Sequence, residues 1–458
     1  MELFKKQNLV MIISLLLWVT ITLIRVFNHS PWYDEAHAWV ISQELNLIEI
    51  IRLMKIEGHT FIWYLLLMPF AKTNFMYPYS MLLLNWLFCF IAILILWLKS
   101  PFNNWIKFLI SFSFPFLALY PVVARCYAIG IMLLFMLAAM DNKKLEHPNW
   151  YALLLVICAN TSVMAAVGAA AFGIIFLYEM IKNKKNMVIA AVFCILGVIL
   201  FLIQLLGSSR DIVWSYIPMG VGYFDYVFIN NVYANLIFLA ILFCFYLFVF
   251  ISNRILPLFL IISFVIMFSV SSIYTGNIWH GFFYYIYFIV ANWLLYEKFD
   301  FKYKKACIIV LCVISFIYIL YRPYENVYNY VWKDKSKLCK NVIENNSNVI
   351  ITSFYTSSVL PYLKDHHINI KNYCSGYKAN YDTTSFYRSE YCRDFKTIIK
   401  YDRIDRQYEK NKKNYVIGVS FNGDRIIIGK SSNKYFVLDK IFEFDKNWCL
   451  YRLEKYEK

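Results

Sequence analysis

Two adjacent carboxylates and an imidazole occupy one aromatic-rich stretch, Trp32-Tyr33-Asp34-Glu35-Ala36-His37-Ala38-Trp39, directly after the first long apolar run. A carboxylate within hydrogen-bond reach of a hydroxyl serves as a general base, and a nearby imidazole orients it or holds an anion. On a helix successive residues diverge by ~100°, so Asp34 and Glu35 point apart while Asp34 and His37 share a face. Asp34 is therefore the first candidate base, and Glu35 the second. The competing reading makes Asp34 the N-cap of a juxtamembrane helix, with Glu35 and His37 merely solvating it.

A second constellation, Glu57-Gly58-His59-Thr60, brings another carboxylate and imidazole to the same stretch of chain. His59 either binds a phosphate oxygen or orients an acceptor, or it caps a helix that starts at Thr60. Arg125 precedes Cys126-Tyr127-Ala128 at the head of another apolar run. Arginine at a membrane edge is costly without a partner, and its planar fork of donors suits phosphate; the alternative is an anchor snorkelling to headgroups. Trp279-His280 opens a later apolar run and is either ligand-facing or part of an aromatic belt. Arg210 and Asp211 are weaker candidates, and the adjacent His366 and His367 lack the further ligands a metal site needs.

The elements that must carry these groups are set by composition. Of 458 residues 60% are hydrophobic and 16% charged, and apolar runs of nearly twenty residues recur, so lipid is the solvent for most of the chain. The net charge of +16 is scattered through short loops and the tail rather than gathered in a stripe, which argues against a nucleic-acid partner. Apolar segments lie near 9–27, 79–98, 106–121, 124–140, 150–163, 165–182, 187–206, 233–251, 255–273, 280–296 and 306–321, which predicts about eleven transmembrane helices, several of them short or tilted. Lys5 and Lys6 precede the first segment and no small-x-small cleavage site follows it, so it reads as an uncleaved anchor. Basic residues in alternate connections, Lys99 with Lys107, Lys143 with Lys144, Lys182 with Lys184 and Lys185, Arg254, and Lys298 with Lys302, Lys304 and Lys305, mark those loops as cytoplasmic. Residues 28–78 then form one external loop, in which Phe61 to Phe70 (FIWYLLLMPF) is a helix lying at the interface.

The membrane domain is expected over 1–321 and an extracytoplasmic soluble domain over 322–458, where charged and polar residues become frequent and Pro323 ends the last helix. Short β-like runs NVIITS, YVIGVS, RIIIG and WCLYRL, from residues 348, 415, 425 and 448, with helices near 335–346, 356–364 and 390–400, predict a small α/β domain. Seven of the eleven cysteines lie in or beside apolar segments as small core hydrophobes, while Cys339, Cys374, Cys392 and Cys449 fall in the tail and allow up to two disulfides.

The order of these features, one N-terminal span, a loop with WYDEAHAW and then EGHTFIWYLLL, an ARCYAIGIMLL helix and an external tail, resembles the GT-C class of polyprenyl-phosphate-sugar glycosyltransferases. Within that class it is similar to the protein O-mannosyltransferases, the aminoarabinose transferase and the RgtA/B/C/D-like membrane enzymes. Thr60 stands where those proteins usually have proline. The resemblance implies transfer of a sugar from an isoprenoid-phosphate donor to a glycan, lipid or protein acceptor, with inversion, on the outer face of a bacterial cell membrane. It gives Asp34, with Glu35 in reserve, the role of base, and Arg125 and Tyr127, with His37, Glu57, His59 and His280, the binding of substrate and phosphate. It names no cofactor beyond the donor substrate and leaves a divalent metal open. Two other classes compete: a lipid-linked glycan polymerase or ligase, whose main external loop usually comes late, and a flippase or transporter, which should carry inverted repeats and mid-membrane charges. A receptor whose outer domain binds a ligand would be indifferent to loss of Asp34.

Overall fold

The computed structural model describes residues 2–57, 59–183, 188–205, 232–253, 258–271, 278–298, 303–320, 341–351, 359–363, 369–372, 401–419, 424–431, 433–443 and 448–457. The chain is mostly helical and ends in a small sheet, as its composition predicts. It forms two compact units, one of Met1–His29, Glu57–Trp63 and Leu82–Val331, the other of Ser30–Ile56, Tyr64–Met81 and Trp332–Lys458.

Among the described residues of the first unit, four helices are long and apolar enough to cross a membrane: Leu9–Asn28 within α1 (Glu2–Asn28), α5 (Tyr79–Lys99), α9 (Val163–Lys182) and α10 (Val188–Leu205). Leu9, Ile12, Ile13, Leu16 and Ile24 on α1, and Val188, Ile195, Ile199 and Ile203 on α10, are exposed. Apolar faces of that extent are stable only against lipid or another apolar surface. This is a helical membrane protein. The other helices of the unit are α6 (Asn104–Ser111), α7 (Tyr127–Met140), α8 (Pro148–Ala159), α11 (Val232–Asn253), α12 (Leu258–Ser271), α13 (Ile278–Gly281), α14 (Phe283–Lys298) and α15 (Lys304–Leu320).

The segment expected to span at 106–121 is broken. Asn103 caps α6 by accepting from Ile106 N–H, and the helix stops at Ser111. Ser113 Oγ bonds back to the Ile110 carbonyl (2.6 Å), and Pro115 opens a single π-turn, Pro115–Leu119. Proline supplies no amide to the preceding turn, and π-turns concentrate at functional positions. The break delivers the chain to Arg125 and α7.

Small residues set the helix spacing. On α10 the buried face runs through Ala190, Gly197 and Gln204, seven residues apart. A Cβ on Gly197 would meet Val156 Cγ2 of α8 at 2.6 Å, and one on Gly130 of α7 would meet Ala165 Cβ of α9 at 2.7 Å. At the far end of α7 from Arg125, Lys144 is 2% exposed and bonds Asp141 Oδ1 (2.9 Å) and Glu179 Oε1 (2.8 Å), while Tyr151 donates to Asp141 Oδ1 (3.3 Å). Cys89, Cys126, Cys158 and Cys307 are buried thiols, as expected of core cysteines, whereas Cys244 is exposed.

The second unit contains α2 (Tyr33–Glu44), most of α3 (Leu47–Glu57) and α4 (Ile62–Ala71), and the tail. Among its described residues the tail has α16 (Leu360–Leu363), α17 (Tyr401–Gln407) and six strands: β1 (Asn348–Ile351), β2 (Asn369–Asn372), β3 (Asn414–Val419), β4 (Arg425–Ser431), β5 (Lys434–Glu443) and β6 (Trp448–Glu457). They form one sheet in the order β2-β1-β3-β6-β5-β4. β1 runs parallel to β2 and β3, and the remaining pairs are antiparallel. Alternate residues Phe436 and Leu438, and Cys449, Tyr451 and Leu453, bury one face beneath Ile404 of α17. Cys449 is thus a free core thiol; Cys339, Cys374, Cys392, His366 and His367 lie outside the described residues.

Candidate active site

Within the second unit, α2 starts with Trp32 as its N-cap. Glu35 Oε2 accepts from the Trp32 amide at 3.0 Å, and Glu35 is fully buried. The carboxylate satisfying this helix end is therefore Glu35's, and Asp34 is not the cap. Asp34 is half-buried, and His37, one turn along the same face, is buried.

Several bonds hold α2 in place inside this unit. Trp39 Nε1 donates to Asn74 Oδ1 (3.3 Å), and Gln43 Nε2 donates to the Ala71 carbonyl (3.1 Å). Lys72 Nζ donates to the carbonyls of Gln43 (3.0 Å) and Leu45 (2.8 Å), a cation at the negative end of the helix dipole. The Tyr77 ring packs between Trp39 and Tyr362, each at a centroid distance of 5.0 Å, so the loop and the tail share this unit.

The first unit gathers His59, Arg125, Tyr127 and His280. Arg125 Nη2 donates to His59 Nε2 at 2.8 Å, and the Tyr127 hydroxyl bonds His280 Nε2 at 2.8 Å. All four are buried, and Tyr127 stands edge-on to both imidazoles, 6.2 Å from His59 and 5.5 Å from His280. A guanidinium only donates, so His59 Nε2 is the acceptor and its proton sits on Nδ1, which faces Cys126 Sγ at 4.0 Å. Burial first, then the charges at Arg125 and His280, hold the His59 imidazole well below its ordinary pKa of 6.5. The outcome is one fixed cation beside a neutral imidazole and a phenol. An anion with several oxygens is the complement of such a group.

The two histidines are anchored through their neighbours. Tyr120 donates through its hydroxyl to the Trp279 carbonyl (2.9 Å), next to His280, and its own carbonyl accepts from Asn85 Nδ2 (2.8 Å). Phe61 N–H, two residues after His59, donates to Gln204 Oε1 at 2.9 Å. Glu57, the last residue of α3, is half-buried at the start of this same short segment of the first unit. Gly58, Arg210 and Asp211 lie outside the described residues.

Sequence reasoning did not single out Tyr120, Asn85 or Gln204. A signal was present for Gln204, a carboxamide in a helix of mean hydropathy 3.0, where an unsatisfied polar group is costly. Among the described residues no group of three or more His, Cys, Asp or Glu side chains is arranged to hold a metal. No family model, curated protein or solved structure matches this chain.

Proposed function

We propose that the protein is a membrane glycosyltransferase of the GT-C kind, which moves a sugar from a polyprenyl-phosphate donor to a glycan, lipid or protein acceptor. The observation that carries the reading is the buried cluster of Arg125, His59, Tyr127 and His280, cationic and rich in donors at the head of an apolar helix. A phosphate joined to an isoprenoid is the ligand such a setting suits, because its head needs charge and its tail needs lipid. The reading includes the full set of about eleven crossings and a C-terminal domain outside the cell membrane.

In this reaction the acceptor oxygen attacks the anomeric carbon and the bond from that carbon to the phosphate oxygen breaks. The electron pair leaves with the phosphate, whose developing charge Arg125 stabilises. The acceptor's hydroxyl proton passes to a carboxylate, the role assigned to Asp34. One displacement inverts the anomeric centre. Glu35, already bonded to the Trp32 amide, holds the helix end beneath Asp34.

The test is transfer of radiolabelled sugar from a panel of polyprenyl-phosphate sugars by membranes carrying wild type, Asp34→Asn or Arg125→Ala at matched protein levels. Transfer that both substitutions abolish supports the reading. Full activity of Asp34→Asn moves the base to another carboxylate, and consumption of no donor by the wild type removes the class.

A further inference from the structure

The Phe61 amide is held by a side chain 143 residues further along the chain. Gln204 sits one residue before the end of α10, on the face that carries Ala190 and Gly197, and it is fully buried. Its Oε1 accepts from Phe61 N–H, and its Nε2 donates to Asn160 Oδ1 (2.8 Å) and to the Leu200 carbonyl (2.9 Å). Asn160 in turn donates through Nδ2 to the carbonyls of Val156 (2.9 Å) and Gly197 (3.4 Å). Both donors of Asn160 go to carbonyls, so its oxygen must face Gln204, and the amide of Gln204 must then turn its oxygen toward Phe61. Each carboxamide has one allowed orientation.

This relay rests on a close helix contact, where Gly197 lets α10 close on Val156 of α8. It ends at Phe61, the residue before the first turn of α4, whose amide has no partner within the helix. Phe61 is two residues from His59. We infer that Gln204, oriented by Asn160, is a positioning residue that sets His59 against Arg125.

The structural part of this inference is independent of the reaction; its consequence for turnover rests on the glycosyltransferase reading. Loss of the Gln204 acceptor leaves the Phe61 amide unsatisfied and raises opening of the 59–61 segment roughly five- to a hundredfold. Gln204→Glu is the conservative replacement, because a protonated carboxyl in this buried place keeps both the acceptor and the donor.

The experiment is carbethoxylation of the full-length protein in detergent by diethyl pyrocarbonate, read histidine by histidine by mass spectrometry of peptides. Gln204→Met should speed modification of His59 by at least fivefold, with buried His29 and exposed His147 unchanged, while Gln204→Glu stays near wild type. Asn160→Ala, which frees the Gln204 amide to turn, should fall between them and provides a second variant should Gln204→Met not fold. An unchanged His59 rate in every variant, or a rise at His29 equal to that at His59, overturns the inference. With a polyprenyl-phosphate sugar as donor, Gln204→Met should lower transfer in the wild-type background and add nothing to His59→Ala; additive losses count against positioning. A wild type that transfers no sugar refutes the proposed reaction, and the carbethoxylation rates still decide the role of Gln204.

Discussion

Replacing Lys144 by Met should destabilise the helical unit more than any surface charge would, and the structure says by how much. Lys144 is 2% exposed and lies 2.9 Å from Asp141 and 2.8 Å from Glu179. At an effective dielectric near 20, unit charges ~3 Å apart interact with about 5 kcal/mol, an upper limit for each pair. Glu179 is 29% exposed, so water screens its share. Asp141 is as buried as the lysine, and without Lys144 it still has the weaker Tyr151 donor, at 3.3 Å. Removing one member of a buried pair costs about 3–5 kcal/mol, chiefly through the charge left behind. On the scale of 2–4 °C per kcal/mol for a domain of 150–250 residues, Tm should fall by roughly 6–20 °C. The assay is thermal unfolding of purified protein in one detergent, with wild type, Lys144→Met, Asp141→Asn and the double variant side by side. Because the cost is a buried carboxylate that has lost its cation, the double variant should recover part of the loss. A Tm for Lys144→Met within about 1 °C of wild type, or strict additivity in the double variant, would refute the reasoning.

Other outcomes follow from the same geometry. Gly197→Val should lower Tm, because overpacking costs about 1–3 kcal/mol; Val156→Ala in the same chain should recover much of it, since the new methyls would meet Val156. Acid should weaken the first unit through His59: its folded pKa lies well below 6.5, so below that pH the unfolded chain binds a proton the folded chain refuses. Stability then falls by about 1.4 kcal/mol per pH unit under 6.5, a slope that unfolding titrations of His59→Gln should lack. Under the proposed reaction, Arg125→Lys should keep the charge and lose the fork, cutting sugar transfer roughly ten- to a hundredfold. In the tail, Asn348→Ala should remove the bonds to Gln407 O (2.9 Å) and Asn414 Oδ1 (2.6 Å), for a loss of about 1–3 kcal/mol seen as faster proteolysis of the sheet.

The sequence was most informative where one residue type or one run suffices. The apolar runs predict helices, RIIIG and WCLYRL fall within strands β4 and β6, and NVIITS and YVIGVS overlap β1 and β3. β5 escaped because Lys434, Asp439, Lys440 and Glu443 dilute its alternation, and β2 is a four-residue strand, Asn369–Asn372, with one apolar side chain. The run at 106–121 misled because hydropathy does not register a Pro115 or a Ser113 turning back on Ile110. Arg125, His59 and His280 were visible as polar residues at the ends of apolar runs, and Tyr127 through the resemblance of Arg125-Cys126-Tyr127-Ala128. Their pairing was not, because His59 lies 66 residues from Arg125, and Tyr127 lies 153 from His280, so only tertiary packing joins them.

The packing that joins them also sets their charge. Two imidazoles beside a guanidinium are not three cations: Arg125 keeps its proton at any ordinary pH, and that charge, with burial, holds His59 neutral. A neutral His59 accepts from Arg125 and fixes the fork's direction, which a protonated one could not do. The site therefore depends on the placement of His59 to within a hydrogen bond, on a segment whose nearest restraint in the first unit comes from Gln204. Asn160, which caps the end of α8, and Gln204, near the end of α10, thereby govern how Arg125 is presented, with no chemistry of their own. A substitution at Asn160 should accordingly disturb His59 before it disturbs the fold.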